Sequence, residues 1–142
     1  MGSISTARLT ITALSMQQLR QVTIQPERMA GEIYATLDPE AIGDASRRAI
    51  QVKLDKMDQA PVSAHPWYTY WLLVLREGQT GIGLAGFKGA PGGEGEVEIG
   101  YGISPAFQGK GYMTEAVQAL VRWAFEQPGC ASIRAETLRS NL

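Results

Sequence analysis

Apolar and polar residues alternate at the start of the chain: Leu9, Ile11 and Ala13 are separated by Thr10 and Thr12, the period of two expected of a half-buried strand, which is predicted over Arg8 to Ala13. Ser15 followed three residues later by Gln18 has the spacing of a capping box, in which each residue satisfies the other's backbone amide. A short helix over Met16 to Val22 is therefore expected. Pro26 interrupts the pattern, and residues 26–37 fit a helical turn or irregular chain equally well. Asp38-Pro39-Glu40 combines a capping side chain, a proline suited to the first helical position and an acidic group for the positive end of the dipole, so a second helix is predicted from there to Asp58. Ile42, Ala45, Ala49, Val52 and Met57 recur at helical spacing as its apolar side, with Arg47, Arg48, Lys53 and Asp55 covering solvated faces.

Residues 59–66 read as a Pro-containing loop whose His65 is expected at the surface, a substrate contact being the alternative. Tyr68 to Leu75 is rich in aromatic and β-branched residues and reads as a buried strand. Trp67, Tyr68, Tyr70 and Trp71 are expected mainly in the sheet core. A turn at Glu77 to Thr80 leads to a second strand over Gly81 to Lys88. The Gly- and Pro-containing stretch Gly89 to Gly95 then leads to a third over Glu96 to Ile103. A helix bearing Ala116, Val117, Leu120, Val121, Ala124 and Phe125 at 3.6-residue spacing follows. Pro128-Gly129 stops it, and Ala131 to Leu138 alternates again as a fifth strand. The order is β-α-α-β-β-β-α-β in one domain, since 142 residues suit one core better than two.

Composition narrows the chemistry. A 44% hydrophobic and 19% charged content is ordinary for a soluble globular protein, and a formal charge of −1 offers no basic excess for a nucleic acid. One cysteine, Cys130, excludes an internal disulfide and cannot alone build a structural zinc site. One histidine limits His-based catalysis, and no metal is expected. Cys130 is expected to pack as a small hydrophobe. With no apolar run long enough to span a bilayer and no signal pattern, a cytoplasmic setting without membrane contact is expected.

The strand, glycine-containing loop and helix between Glu94 and Glu126 form a candidate anion site, because the first helical amides lack internal acceptors and face a favourable dipole. A Walker-type loop is excluded, since Gly109-Lys110 is followed by Gly111 and not by a hydroxyl residue. Gly81, Gly83 and Gly86 match dinucleotide-loop spacing but lie inside a strand pattern, where close backbone packing or a bulge explains them.

Gln108-Gly109-Lys110-Gly111-Tyr112-Met113 is more specific. Preceded by Val97 to Pro105 and followed by Thr114-Glu115-Ala116, it resembles the acetyl-coenzyme A loop of the GNAT N-acetyltransferase superfamily, in particular the ribosomal-protein-alanine acetyltransferase-like branch. That pattern is Gln or Arg, two residues, Gly, one residue, then Gly or Ala, and Met113 departs from its last position. The resemblance implies an α+β GNAT fold, a mixed and mostly antiparallel sheet flanked by helices. It also implies that backbone groups of Gln108, Gly109, Lys110, Gly111, Tyr112 and Met113 bind the pyrophosphate. Ile103 would pair with the pantetheine arm.

The same resemblance makes Glu98 the candidate base for an acceptor amine, acting directly or through water, with a solvated strand-edge carboxylate as the alternative. Glu96 shares its strand face. Thr114 and Glu115 are expected to serve the first helical turn rather than chemistry. Relatives continue past the position of Asn141, a further expected cofactor contact, into another helix and two strands, so the chain is expected to lack that C-terminal part. The implied activity is acetyl transfer from acetyl-coenzyme A to a primary amine of a small molecule or a peptide N-terminus. A non-catalytic coenzyme A-binding or dimerisation module, with a second copy of the chain in a homodimer, is the alternative, and a nucleotide-binding domain is the third.

Overall fold

The computed structural model describes residues 2–136. Within them, strands β1 (Ser3–Ser5), β2 (Leu9–Ala13), β3 (Thr36–Leu37), β4 (Trp71–Leu75), β5 (Thr80–Phe87), β6 (Glu96–Ile103) and β7 (Ser132–Glu136) form a single sheet. Its order is β1-β2-β4-β5-β6-β7, with the short β3 paired in parallel to β5. The β4-β5-β6 meander is antiparallel, as its turns require, whereas β7 returns parallel to β6 after crossing over through a helix. Helices α1 (Met16–Ile24), α2 (Pro26–Glu32) and α3 (Asp44–Asp58) precede the meander, and α4 (Tyr112–Phe125) forms the crossover.

Both faces of the sheet are covered, so alternate residues of each central strand enter different cores. Leu9, Ile11, Leu73, Ile82, Phe87, Val97 and Ile99 pack with Ala116, Ala119, Leu120 and Ala124 of α4. Leu14, Leu72, Val74 and Leu84 pack instead with α1, α2 and α3. Trp67, Phe87, Trp71 and Trp123 interlock edge to face, with Trp123 only 4.8 Å from Trp67 and 5.2 Å from Trp71 between centroids, and so fasten α4 to β4 and β5. The glycines of β5 are packing residues. A Cβ on Gly83 would lie 2.4 Å from the Gly102 carbonyl, and one on Gly86 2.7 Å from that of Thr69.

The Ser15 capping box forms as expected, with Gln18 N donating to Ser15 Oγ at 3.1 Å and Ser15 N to Gln18 Oε1 at 2.9 Å. The ambiguous stretch resolves into α2, a left-handed Tyr34 and β3.

Helix α3 begins at Asp44, five residues later than the Asp38 cap signal suggests. The Asp38 amide is committed to the Gly81 carbonyl, prolonging the extended pairing of β3 with β5, while its carboxylate accepts only the Glu40 amide in a local turn. The rotation of α3 also differs. Ile50, Lys53, Leu54 and Met57 face inward and Val52 is 54% exposed, so a lysine occupies a core position that the periodicity gave to valine. On α4, Phe125 is likewise turned out and Trp123 in.

Residues 62–67 form a 3-10 helix, not a loop followed directly by strand, and β4 starts only at Trp71. His65 within it is buried. Its Nε2 lies 2.7 Å from the Met57 carbonyl and 3.2 Å from that of Ala60; both can only accept, so Nε2 carries the hydrogen and caps the end of α3. That corrects the surface expectation and gives His65 a structural task. Leu138 and Asn141 lie outside the described residues.

Candidate functional site

Strand β6 leads through a 3-10 turn at Pro105–Phe107 and the loop 108–111 into α4. Two glycines make this turn possible: Gly109 has φ of 75° and Gly111, the residue preceding α4, has φ of 81°, a left-handed region costly for a side chain bearing Cβ. No side chain among the described residues caps α4, whose N-cap is Gly111. The amides of Gly109, Lys110 and Gly111 donate to no protein acceptor among the described residues, whereas that of Gln108 closes the preceding turn on the Pro105 carbonyl at 3.3 Å. Three consecutive unused donors thus stand at the positive end of a 14-residue helix.

Of these three residues, Gly109 and Gly111 line a cleft of about 380 Å³. Tyr101 and Ile103 of β6, Gln108, Gly109 and Gly111 of the loop, and Tyr112 and Met113 of α4 line it, so the structure brings together most of the residues expected from the motif. Phe107, Thr114, Val117 and Gln118 also line it; the helical pattern assigned Val117 to the core and gave no signal for the others. Among the described residues the register of β6 with β7 runs from Glu96↔Ser132 to Gly100↔Glu136, and Tyr101 and Ile103, further along β6, form part of the cleft wall. Gln108 Nε2 lies 3.4 Å from the Ile103 carbonyl. Ser104, wholly buried at the head of the loop, has a hydroxyl oxygen without a hydrogen-bond partner among the described residues.

The Lys110 side chain is exposed and does not line the cleft; its carbonyl is the part that the fold holds, accepting from Arg8 Nη1 at 3.0 Å. Glu115 serves the helix start, as expected, but through tertiary bonds. It receives Thr6 Oγ1, the Arg8 amide at 2.8 Å and Arg8 Nε at 2.8 Å. Burial would raise the Glu115 carboxyl, but the hydrogen bonds from Thr6 and Arg8, with the guanidinium charge, hold it below its ordinary value.

Glu98 does not line this cleft. It projects from the opposite face of β6 to Val97 and Ile99, and pairs with Lys88 Nζ at 3.4 Å and with Arg134 Nε at 3.9 Å. Gly100 and Gly102 follow it on the same face, where the absence of side chains leaves the backbone of β6 approachable.

Further along that face the structure discloses Lys53, which the charge pattern had placed in solvent. It is 8% exposed, donates to the Phe87 carbonyl at 2.9 Å and the Tyr68 carbonyl at 3.4 Å, and stands 4.4 Å from the centre of the Tyr70 ring. Burial, aided by the charges of Lys56 and Lys88, lowers its pKa to about 7. Burial likewise raises that of Tyr70, against a hydrogen bond with Ser46.

Below pH 7 Lys53 is charged in both folded and unfolded chains and its burial cost is fully imposed. Between pH 7 and about 10 the unfolded chain holds the extra proton, so stability rises by up to about 1.4 kcal/mol per pH unit from this group. Lys53→Met should therefore stabilise the protein most near pH 6, and its advantage should shrink towards pH 10 in urea unfolding at stepped pH. Parallel profiles for the two proteins would refute the burial cost.

A family model described as an acetyltransferase (GNAT) domain matches residues 8–142, and the chain belongs to that family. It is 33% identical over 72 residues to the uncharacterized N-acetyltransferase YjdG of Bacillus subtilis (strain 168), an alignment covering 51% of this chain and 43% of that protein. The chain spans less than half the length of the curated relatives it matches. Among solved structures, a GNAT-family acetyltransferase from Bordetella pertussis superposes with a TM-score of 0.61 at 23% identity, covering 99% of this chain and 81% of that one. The ribosomal L7/L12 alpha-N-protein acetyltransferase RimL, in complex with coenzyme A, superposes with a TM-score of 0.59 at 16% identity, covering 93% and 72%. These likenesses bear out the expected α+β GNAT fold. No described helix is long and apolar enough to cross a membrane.

Proposed function

We propose that the protein transfers the acetyl group of acetyl-coenzyme A to a primary amine of a small molecule or a peptide N-terminus, by direct attack of the amine on the thioester. The observation that carries this reading is the row of unused amides at 109–111, set at the start of α4 beside an open cleft. Left-handed glycines, free donors and a positive helix end together fit a pyrophosphate, and the complex named for the RimL neighbour is with coenzyme A. The strand segment Tyr101 to Ile103 would take the pantetheine arm by strand-like hydrogen bonds.

Acetyl-coenzyme A supplies the activated acyl group. Glu98 takes a proton from the acceptor ammonium, directly or through water, and frees the nitrogen lone pair. The N–C bond then forms as the C–S bond breaks; the nitrogen gives up a second proton and the departing sulfur takes one up. Lys88 and Arg134 hold the Glu98 carboxylate in position between them.

Calorimetry with acetyl-coenzyme A, followed by thiol release against a panel of amines, tests the proposal. Binding with amine-dependent release is expected. Binding without turnover on any amine would favour a non-catalytic coenzyme A module, and binding of ATP but not of acetyl-coenzyme A would defeat both readings.

A further inference from the structure

We infer that Arg8, immediately before β2 and remote in sequence from the loop, is the residue that sets the loop's anion-binding geometry by fixing the Lys110–Gly111 peptide plane. This deepens the proposed coenzyme site and rests on it.

Four contacts converge on this side chain and its backbone. Arg8 Nη1 donates to the Lys110 carbonyl at 3.0 Å, its guanidinium carbon lies 4.3 Å from the centre of the Tyr112 ring, and Nε pairs with Glu115 Oε1 at 2.8 Å. Its own amide donates to Glu115 Oε2 at 2.8 Å. A Cβ on Gly111 would come within 3.3 Å of Nη2, so the guanidinium lies directly against the loop backbone. The residue is itself held by its neighbours: Arg76 N donates to the Arg8 carbonyl at 2.9 Å and Arg76 Nη1 to the Thr6 carbonyl at 2.8 Å.

In a trans peptide the carbonyl and the following N–H point in opposite directions. With the Lys110 carbonyl drawn to Arg8, the Gly111 N–H is directed away from it, and that amide is one of the three that meet no protein acceptor. A loop with two glycines in the left-handed region has many other accessible conformations, so an external tie is needed to keep its donors convergent. A planar fork can bond the carbonyl and Glu115 while lying against the Tyr112 ring; a lysine ammonium cannot do all three. Arg8 is on this view a positioning residue that acts through the 110–111 peptide.

The test compares the parent chain with Arg8→Gln and Arg8→Lys, using acetyl-coenzyme A and acetyl-pantetheine, which lacks the pyrophosphate. KM for acetyl-coenzyme A should rise about tenfold in both variants, the scale of one hydrogen bond to a charged group, with kcat little changed. The kcat/KM for acetyl-pantetheine should stay at the parent value. Amide hydrogen exchange in the ligand-free chain should quicken at 109–113 and be unaltered in β4 and β5. That readout needs no coenzyme, and so separates failure of this inference from failure of the coenzyme reading: a parent chain blind to coenzyme A removes that reading whatever Arg8 does. Arg8→Lys with parent kinetics would show that charge alone matters and overturn the inference. Equal losses on the two thioesters would overturn it as well, as would unchanged exchange in the loop.

Discussion

Replacing Glu98 with glutamine is expected to lower kcat by about 10²–10⁴-fold at pH 7, the range over which a positioned general base acts, while leaving the affinity for acetyl-coenzyme A unchanged. The separation follows from where the residues lie. Glu98 is on one face of β6, whereas the unused amides and the cleft wall at Tyr101 and Ile103 belong to the other face and the loop beyond. Glutamine keeps the size of the side chain and one acceptor oxygen but cannot take up a proton in this range. It also loses the charge that pairs with Lys88 and Arg134. Those ion pairs are partly solvated and contribute little to stability, so the variant should unfold within about 1 kcal/mol of the parent. Steady-state kinetics against the best acceptor amine, with calorimetry of coenzyme binding, decides the matter. An unaltered kcat would remove Glu98 from the chemistry, and a lost coenzyme affinity would show that it acts in binding.

Trp71→Ala is the second large effect. Trp71 is 1% exposed, stacks edge to face with Trp123 of α4, and donates its indole N–H to the Pro66 carbonyl at 3.0 Å. Alanine removes that packing, leaves a cavity between β4 and α4 and frees a carbonyl, a combination that costs about 3–5 kcal/mol in buried aromatic truncations. Against a total stability of about 5–15 kcal/mol, this consumes a large share of the margin. The midpoint of urea denaturation should fall accordingly, with Trp71→Phe losing clearly less. A shift below 1 kcal/mol would mean that Trp67, Phe87 and Trp123 close over the gap. The cluster also bears on function, because it fastens the helix whose first turn carries the free amides.

The elements with strong local signals were legible in the chain. The Ser15 box, the β4-β5-β6 meander and the glycines before α4 each depend on short-range chemistry, namely a cap, a turn or a left-handed backbone, and those constraints are written within a few residues. The Asp38 carboxylate does accept the Glu40 amide as a cap would, but it closes only a local turn at the end of β3, and α3 starts further on at Asp44. Lys53 and Val52 exchanged roles because a helical pattern fixes spacing but leaves the rotation of the helix to what it packs on. Two carbonyls and the Tyr70 ring beneath α3 accommodate an amine there.

By itself, then, the sequence determined the meander, the crossover helix and a glycine loop shaped for an anion, because each follows from local backbone preference and periodicity. The tertiary structure alone decided that Arg8 and Glu115, more than a hundred positions apart, meet to brace that loop. It alone buried His65 as a helix cap and set Glu98 and the cleft on different faces of one strand. Contacts between residues distant in sequence are chosen by how packed elements share the available donors, acceptors and volume, and no window along the chain contains that information.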